Sequence, residues 1–239
     1  MRIPMFLKNK VQMSESGDSA ERSSADAPFF VEQFKALRAK IDDNFDKEGK
    51  KTLAFTSSVA EEGKTVVSIN LALNIASTGR KKVLLVDADM RKSDIAKGMK
   101  LESVPGLSEY LSGSAKFTEV VRNSRISGLY VIPSGKEPPS ASDMIAGKPF
   151  RSFLKSAREH FDLILFDTPP VLPVSDTLSL REHVDWFLLV FRARFTPYPM
   201  LKQVVEEIGE EKILGVVINR VEPLTDKYYK RYYGQYYQR

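Results

Sequence analysis

The sequence predicts an α/β protein with a doubly wound, mostly parallel sheet flanked by helices. Three runs of apolar residues, at 83–86, 163–166 and 186–191, are unbroken, which is typical of strands that are buried on both faces. Segments with the apolar spacing of helices lie between the strands. Strands that alternate with helices along a chain indicate a parallel sheet covered by helices on both sides.

The predicted elements follow one another along the chain in this alternation. A first helix is expected at 29–45, because Phe30, Phe34, Leu37 and Ile41 recur on one face. Strands are expected at 51–56, 82–86, 129–132, 162–166, 186–191 and 213–218. Further helices are expected at 64–76, 107–111, 117–122, 140–146, 150–160 and 200–208. Residues 90–106 are expected to be irregular.

The length of 239 residues predicts one domain with a loose segment at each end. Residues 1–27 are rich in Ser, Ala, Asp and Glu and are expected to be disordered. The domain itself is expected at 28–223, followed by a flexible segment at 224–239. The last dozen residues contain no Leu, Ile or Val, so they have little to pack into a core.

Composition excludes several classes of function. The chain has no cysteine, which removes disulfides, thiolate metal sites and cysteine nucleophiles. No apolar run approaches the roughly 18 residues that a membrane-spanning helix needs, and the start of the chain has too short an apolar patch for a secretory signal. The net charge of +5 is mild and lies largely at the two ends, so we expect no nucleic-acid binding.

A candidate phosphate-binding loop lies between the strand at 51–56 and the helix at 64–76. The last three residues of this loop segment are Gly63, Lys64 and Thr65. A P-loop requires a strand before the loop and a helix after it, and both are predicted here. Backbone N–H groups at the start of a helix bind phosphate oxygens. Ser58 stands where the pattern normally opens with glycine, and without its context the segment would be an ordinary helix start. We expect the nucleotide to contact Ser58, Val59, Ala60, Glu61, Glu62, Gly63, Lys64, Thr65 and Val66.

Carboxylates follow two of the buried strands directly. Asp87 and Asp89 come after the run at 83–86, and Asp167 comes after the run at 163–166. Ligands of open α/β sheets bind at the carboxyl ends of the strands, and carboxylate oxygens suit Mg²⁺. One such Asp alone would be a cap or turn residue, but three beside a P-loop predict a metal site formed by Thr65, Asp87 and Asp167.

The end of the chain carries three Tyr-Tyr pairs on a basic segment. A solvated phenol on a flexible segment is a good acceptor for a phosphoryl group, and a P-loop elsewhere in the chain would supply a donor. The pattern predicts a kinase that modifies its own tail. The candidate acceptors are Tyr228, Tyr229, Tyr232, Tyr233, Tyr236 and Tyr237.

These features together resemble the bacterial tyrosine kinases, which are polysaccharide-biosynthesis autokinases built on a P-loop ATPase scaffold. The resemblance covers about residues 28–239. The family has a second acidic motif, an apolar run followed by Asp-x-Asp-x-Arg, which matches residues 87–91 of this chain. The family also has an apolar run followed by Asp-x-x-Pro, which matches residues 167–170. The related partitioning and division-site ATPases carry an extra Lys where this chain has Val59, and they lack a tyrosine tail.

The resemblance implies roles for single residues, with ATP and Mg²⁺ as cofactors. Lys64, Asp87, Asp89 and Asp167 are the expected catalytic residues, and Asp89 is a candidate base or second metal contact. Arg91 is expected to hold either phosphate or a neighbouring subunit. Asn219 ends the last strand and serves either adenine binding or a turn.

The resemblance also implies assembly and partners. The family has a Glu-x-x-Arg-x-x-Arg helix that joins subunits into a ring, and Glu32, Lys35 and Arg38 stand at those positions, with Lys in place of the middle Arg. A solvated charged face is the alternative for these residues. Some members are fused to a membrane protein and others are separate chains. This chain resembles the separate type, which implies a cytoplasmic protein that is recruited and activated by the cytoplasmic tail of a membrane adaptor of the polysaccharide co-polymerase type, and opposed by a tyrosine phosphatase.

Three functions remain at this point. The first is a tyrosine autokinase that regulates capsule or exopolysaccharide synthesis and export. The second is a membrane-associated switch ATPase of the partitioning or division-site type. The third is a weakly catalytic scaffold of a polysaccharide exporter.

Overall fold

The computed structural model describes the backbone at residues 5–9 and 26–221 and the side chains at 31–221. Within these ranges one sheet contains eight strands in the order β1-β8-β7-β2-β6-β3-β5-β4. Neighbouring strands are parallel except for β4, which is antiparallel to β5. The strands are β1 (Met5–Asn9), β2 (Thr52–Thr56), β3 (Val83–Asp87), β4 (Arg122–Asn123), β5 (Leu129–Ile132), β6 (Leu163–Asp167), β7 (Trp186–Arg192) and β8 (Ile213–Asn219).

Helices cover both faces of this sheet, which confirms the predicted doubly wound fold. The described helices are α1 (Asp26–Glu48), α2 (Lys64–Ala76), α3 (Ile95–Met99), α4 (Leu107–Leu111), α5 (Phe117–Val120), α6 (Ala141–Ala146), α7 (Lys148–His160), α8 (Asp176–Ser179) and α9 (Tyr198–Ile208). A short 3₁₀ turn at Glu210–Lys212 leads into β8.

Two hydrophobic cores lie on opposite faces of the sheet because successive side chains of a strand point to opposite sides. In β3, Val83 and Leu85 pack into the core under α1 and α2, whereas Leu84 and Val86 pack into the core under α4, α6, α7 and α9. Every residue of β3 and β6 is buried. This two-sided burial explains why their sequences are unbroken apolar runs.

Helix α1 is longer than expected and packs on α2 through the predicted apolar face. Phe34, Leu37 and Ile41 are buried, and Phe45 adds an edge-to-face contact with Trp186. Phe30 lies among the residues whose side chains are outside the described part of the chain.

Several elements differ from the expectations. Helix α3 interrupts the stretch 90–106 that was expected to be irregular, and α8 and β4 were not predicted. The strand at Met5–Asn9 pairs with β8 and lies inside the segment 1–27 that was expected to be disordered. Residues 26 and 27 of that segment belong to α1. Residues 1–4 and 10–25 are outside the described residues, and so are residues 222–239 with the six tail tyrosines.

Candidate active site

The phosphate loop connects β2 to α2 at the carboxyl edge of the sheet, as the sequence predicts. Its first half is attached to the segment that follows β6. The Thr56 hydroxyl donates to the carbonyl of Pro169 at 2.9 Å, and the amide of Val171 donates to the carbonyl of Ser57 at 2.9 Å. The two segments that resemble the family motifs therefore lie side by side. The Ser58 hydroxyl is buried and has no hydrogen-bond partner within the described part of the chain.

A buried glutamate holds the shape of this loop. The Glu62 side chain is 1% exposed, and its carboxylate accepts hydrogen bonds from the amide of Val59 at 2.8 Å, the amide of Arg192 at 3.3 Å and the hydroxyl of Thr196. Glu62 thus ties the loop to the end of β7. The Val59 amide, expected to face phosphate, is used inside the loop.

Asn219 closes the loop from the end of β8. Its side-chain amide donates to the carbonyl of Glu62 at 2.9 Å, and its side-chain oxygen accepts from the amide of Arg220. Gly63 lies directly beside it with φ of 93°, and a Cβ at Gly63 would stand 2.0 Å from Asn219 Nδ2. These contacts give Asn219 a structural role at the loop, and adenine binding by Asn219 stays a prediction.

The side chain of Lys64 reaches from the start of α2 to the carboxylates at the strand ends. Its Nζ lies 3.1 Å from Asp89 Oδ2. Burial lowers the pKa of Lys64, but attraction to Asp167, Asp89 and Asp87 outweighs it and leaves the pKa above the ordinary value. The ammonium therefore stays charged at neutral pH.

Asp87 and Asp167 are adjacent because β3 and β6 pair in register at these residues. Both are buried. Burial, reinforced by the charge of Asp167, raises the pKa of Asp87 well above its ordinary value, although Ser93 and the amide of Ile95 donate to it. Burial also raises the pKa of Asp167 to about 6, opposed by the charge of Lys64 and a hydrogen bond from Thr65.

The chemistry of these groups fits Mg²⁺ bound together with a nucleotide. Asp167 Oδ1 is buried without a hydrogen-bond partner among the described residues, and the side chain of Thr65 hydrogen-bonds to the same carboxylate. No group of three acidic or histidine side chains within the described ranges could hold a metal by itself. P-loop enzymes need no such group, since the Ser or Thr of the loop, an Asp and phosphate oxygens share the ion.

Arg91 makes an ion pair that the sequence did not indicate. Its Nε lies 2.7 Å from Asp176 Oδ2, and its Nη2 donates to Asp176 Oδ1 at 3.3 Å. The Asp176 side chain is fully buried, whereas that of Arg91 is 47% exposed. A hydrogen bond to Asp176 and its charge raise the pKa of Arg91. Asp176 follows Asp167 by nine residues and resembles an ordinary helix-start acid, so no local pattern could have paired it with Arg91.

The three charged residues proposed for subunit contacts lie on α1 but are not equivalent. Glu32 and Lys35 are exposed and pair with each other at 2.6 Å. Arg38 is partly buried and donates to the carbonyl and side-chain oxygens of Asn74 at 3.1 and 2.9 Å. Arg38 therefore fastens α1 to α2 within the chain, while the first two residues remain on the surface.

Two comparisons define the class of protein to which this fold and site belong. The AAA domain family matches residues 50–210, the part of the chain that contains the P-loop and both acidic strand ends. In structure, the chain shares its fold with the septum site-determining protein MinD of Pyrococcus horikoshii, solved with Mg-ADP (TM-score 0.59, 21% identity, 76% of each chain). The chain is therefore a P-loop protein of the AAA type.

More similar proteins define the family within that class. Tyrosine-protein kinase CpsD of Streptococcus agalactiae is 33% identical over 86% of this chain and 89% of its own length. The kinase domain of Escherichia coli tyrosine kinase ETK superimposes with a TM-score of 0.81 at 28% identity, over 94% of this chain and 92% of that one. This chain belongs to the bacterial tyrosine kinase family.

Relatives in this family differ in length. The putative tyrosine-protein kinase EpsB of Ralstonia nicotianae is 32% identical over 86% of this chain, but the match spans only 28% of EpsB. In the part of this chain that the structure describes, no helix combines the length and apolar character needed to cross a membrane.

Proposed function

We propose that this chain transfers the γ-phosphoryl group of ATP to the tyrosines of its own C-terminal tail. The observation that carries the proposal is the meeting of Lys64 with Asp87, Asp89 and Asp167 at the mouth of the P-loop. Membership of the bacterial tyrosine kinases supports the same reaction. The six tyrosines at 228–237 supply acceptors within the chain itself.

Each residue of the site has a defined task in this reaction. Lys64 would leave Asp89 and contact the β- and γ-phosphates, whose negative charge grows on the transferring group. Thr65, Asp87 and Asp167 would hold Mg²⁺, which neutralises phosphate charge when it is bound. Asp89, released by Lys64, would accept a hydrogen bond from the incoming phenol. Because a free tyrosine has a pKa near 10, placing its oxygen in line matters more than removing its proton.

We further propose that phosphorylation occurs between subunits of a homo-oligomeric ring and regulates capsule or exopolysaccharide synthesis and export. A membrane adaptor of the polysaccharide co-polymerase type would recruit the kinase to the inner face of the membrane and activate it with a cytoplasmic tail. A tyrosine phosphatase would reverse the reaction. These proposals rest on the family resemblance and on the exposed Glu32–Lys35 pair.

The first experiment incubates the purified full chain with ATP and Mg²⁺ and detects phosphotyrosine. Lys64→Met should abolish the signal, because loss of the cation near the γ-phosphate costs several kcal/mol of barrier and each ~1.4 kcal/mol is tenfold in rate. Lys155→Met removes an exposed lysine from α7 and should leave the signal unchanged. Near-wild-type phosphotyrosine in Lys64→Met would refute the assignment of the nucleotide site.

The same preparation separates the alternatives. ATP hydrolysis without phosphotyrosine would identify a switch ATPase, and absence of both would identify a scaffold. To test reaction between subunits, a Lys64→Met chain is mixed with an active chain whose six tail tyrosines are Phe. Labelling of the Lys64→Met chain would demonstrate transfer between chains, and its absence would contradict it.

A further inference from the structure

The ion pair between the buried Asp176 and the half-exposed Arg91 has no assigned role in phosphoryl transfer. We propose that Asp176 is a positioning residue that holds Arg91 so that the free edge of its guanidinium contacts phosphate oxygens at the active site. The inference rests on the proposed kinase function and assigns a residue to it. The phosphate oxygens would belong either to the nucleotide or to a phosphotyrosine.

The geometry leaves part of the guanidinium available. Asp176 accepts from Nε and Nη2 of Arg91 at 2.7 and 3.3 Å, which uses one edge of the planar group. A guanidinium has five N–H donors in a rigid fork, so three remain for another anion. Arg91 is about half exposed, and it comes two residues after Asp89, which contacts Lys64.

The position of Asp176 is coupled to the phosphate loop through a single carbonyl. Thr177 donates its hydroxyl to the carbonyl of Pro169 at 2.6 Å. Thr56, the last residue of β2, donates to the same carbonyl at 2.9 Å. Helix α8 is thereby fixed to the strand from which the P-loop emerges. Asp176, and with it the guanidinium that it binds, is therefore held in a fixed position relative to the loop.

The residue types of the Asp176–Arg91 pair indicate that the pair orients the guanidinium rather than stabilising the fold. A fully buried carboxylate is costly to desolvate, and apolar residues often replace buried ion pairs without loss of stability. Because Asp176 neutralises the charge of Arg91, the pair orients the guanidinium rather than attracting phosphate by net charge. Arginine is suited to this task because one edge of its fork can bind a carboxylate while the other binds phosphate, which lysine cannot do.

The experiment measures phosphotyrosine formation on the full chain, together with ADP affinity and melting temperature, for Asp176→Asn, Arg91→Gln and the double variant. Asp176→Asn keeps the shape of the side chain but removes its charge. We expect a fall of ~100-fold in the rate per folded molecule, the size expected for a misplaced catalytic contact, with ADP affinity changed less than ~3-fold. In the Arg91→Gln background the same substitution should have no further effect, since Asp176 acts only through Arg91.

The matched controls are Asp185→Asn and Arg158→Lys. Arg158 and Asp185 form a comparable pair at 3.1 Å, and Asp185 lies just before β7, at the other edge of the sheet. These variants should lower the melting temperature while keeping the rate per folded molecule. Asp176→Glu tests rescue, because it retains the charge.

Two further measurements identify the source of the phosphate oxygens. If Arg91 contacts the nucleotide, Asp176→Asn should weaken the binding of a non-hydrolysable ATP analogue more than the binding of ADP. If it contacts the acceptor side, that ratio should stay constant and inhibition by free phosphotyrosine should weaken.

The inference is overturned if Asp176→Asn retains the wild-type rate per folded molecule, if it slows Arg91→Gln as much as it slows the wild type, or if neither ligand measurement changes. A loss of particle mass in Arg91→Gln with an unchanged rate would assign Arg91 to a subunit contact and also overturn it. Failure of the proposed function is distinguishable, because the wild-type chain itself would then form no phosphotyrosine.

Discussion

Among single residues, Asp167 shows that the ligand-free site contains a buried carboxylate whose ionised form is energetically unfavourable. Its side chain is buried beside Asp87 and has one oxygen without a hydrogen-bond partner within the described residues. Burial raises its pKa to about 6, although Lys64 and Thr65 act in the opposite direction. A cation that arrives with a nucleotide would relieve this cost, so the same burial that destabilises the free protein favours ligand binding.

The raised pKa predicts a pH-dependent stability. The folded protein keeps the proton of Asp167 to a higher pH than the unfolded chain does, so the free energy of unfolding should fall as pH rises from about 4 to about 6. Each pKa unit corresponds to about 1.4 kcal/mol. Without nucleotide and Mg²⁺, Asp167→Asn should therefore be more stable than the wild type at pH 7.5, by up to about 3 kcal/mol, and nearly equal to it at pH 4.

Urea unfolding at the two pH values measures this difference. Asp87 titrates in the same direction, and because the charge of Asp167 helps to raise its pKa, Asp167→Asn also removes that part of the contribution of Asp87. Asp143→Asn, at an exposed position, is the control and should show a constant difference. An Asp167→Asn variant that is less stable than the wild type at pH 7.5 would contradict this account of the charge.

Among the elements, the phosphate loop depends on contacts from the ends of β7 and β8. Glu62 accepts hydrogen bonds from its own loop and from the end of β7, and Asn219 holds the loop from the end of β8. Glu61, the residue before Glu62, has a positive φ of 66°, which is uncommon for a residue other than glycine. The loop therefore keeps its form through tertiary contacts rather than through a glycine-rich sequence.

Glu62→Gln tests this dependence with a side chain of the same shape. One carboxylate oxygen becomes an NH₂ group, which turns a donor toward either the Val59 amide or the Arg192 amide. We expect a loss of about 1–3 kcal/mol in the free energy of unfolding, the cost of an unsatisfied buried group. We also expect ADP affinity to fall roughly tenfold, which corresponds to about 1.4 kcal/mol.

Glu159→Gln is the control, since this glutamate is exposed on α7, away from the phosphate loop. It should preserve both stability and ADP affinity. Equal behaviour of the two variants, measured by chemical unfolding and ADP titration, would show that the buried carboxylate does not maintain the loop.

At the scale of the whole molecule, α1 offers the surface on which subunits are proposed to meet. Glu32 and Lys35 are exposed on this helix, whereas Arg38 is engaged with α2. Reversing Glu32 to Lys places two like charges three residues apart, so any contact that uses the pair should weaken. Light scattering with Mg²⁺ and ADP should then report smaller particles.

The control for this substitution is Asp43→Lys, which disrupts another exposed ion pair of α1, at 2.9 Å to Lys47. Its particle mass should match that of the wild type. A wild-type protein that remains monomeric at high concentration would contradict the proposed ring.

Phosphorylation of the tail should oppose assembly. The segment 226–239 has four basic side chains and one acidic side chain, whereas six phosphotyrosines would add roughly −9 to −12 charges at neutral pH. An acidic tail would be repelled by other tails of the same assembly within the screening length of about 8 Å. Particle mass should therefore fall after treatment with ATP, and a tail with Phe in place of Tyr should keep its mass. An equal mass after complete phosphorylation would refute electrostatic release.

The residue pattern is sufficient to predict the fold class and to bring four polar residues to one edge of the sheet. The unbroken runs in β3 and β6 require burial on both faces, and a buried parallel sheet brings its strand ends to one edge. This is why the sequence alone predicts that Lys64, Asp87, Asp89 and Asp167 lie close together. Their types and spacings carry the chemistry, and the sheet supplies the proximity.

The side-chain partners of the polar residues at this edge depend on the three-dimensional packing and could not be predicted from the sequence. The pairing of Arg91 with Asp176 joins positions 85 residues apart, and the bond from Asn219 to Glu62 spans 157 residues. Short helices such as α3 and α8 were missed because a helix of four or five residues has little intrinsic stability and forms through its packing. Local periodicity describes which face of an element is buried, but partners far apart in sequence are selected by the three-dimensional packing of the sheet edge.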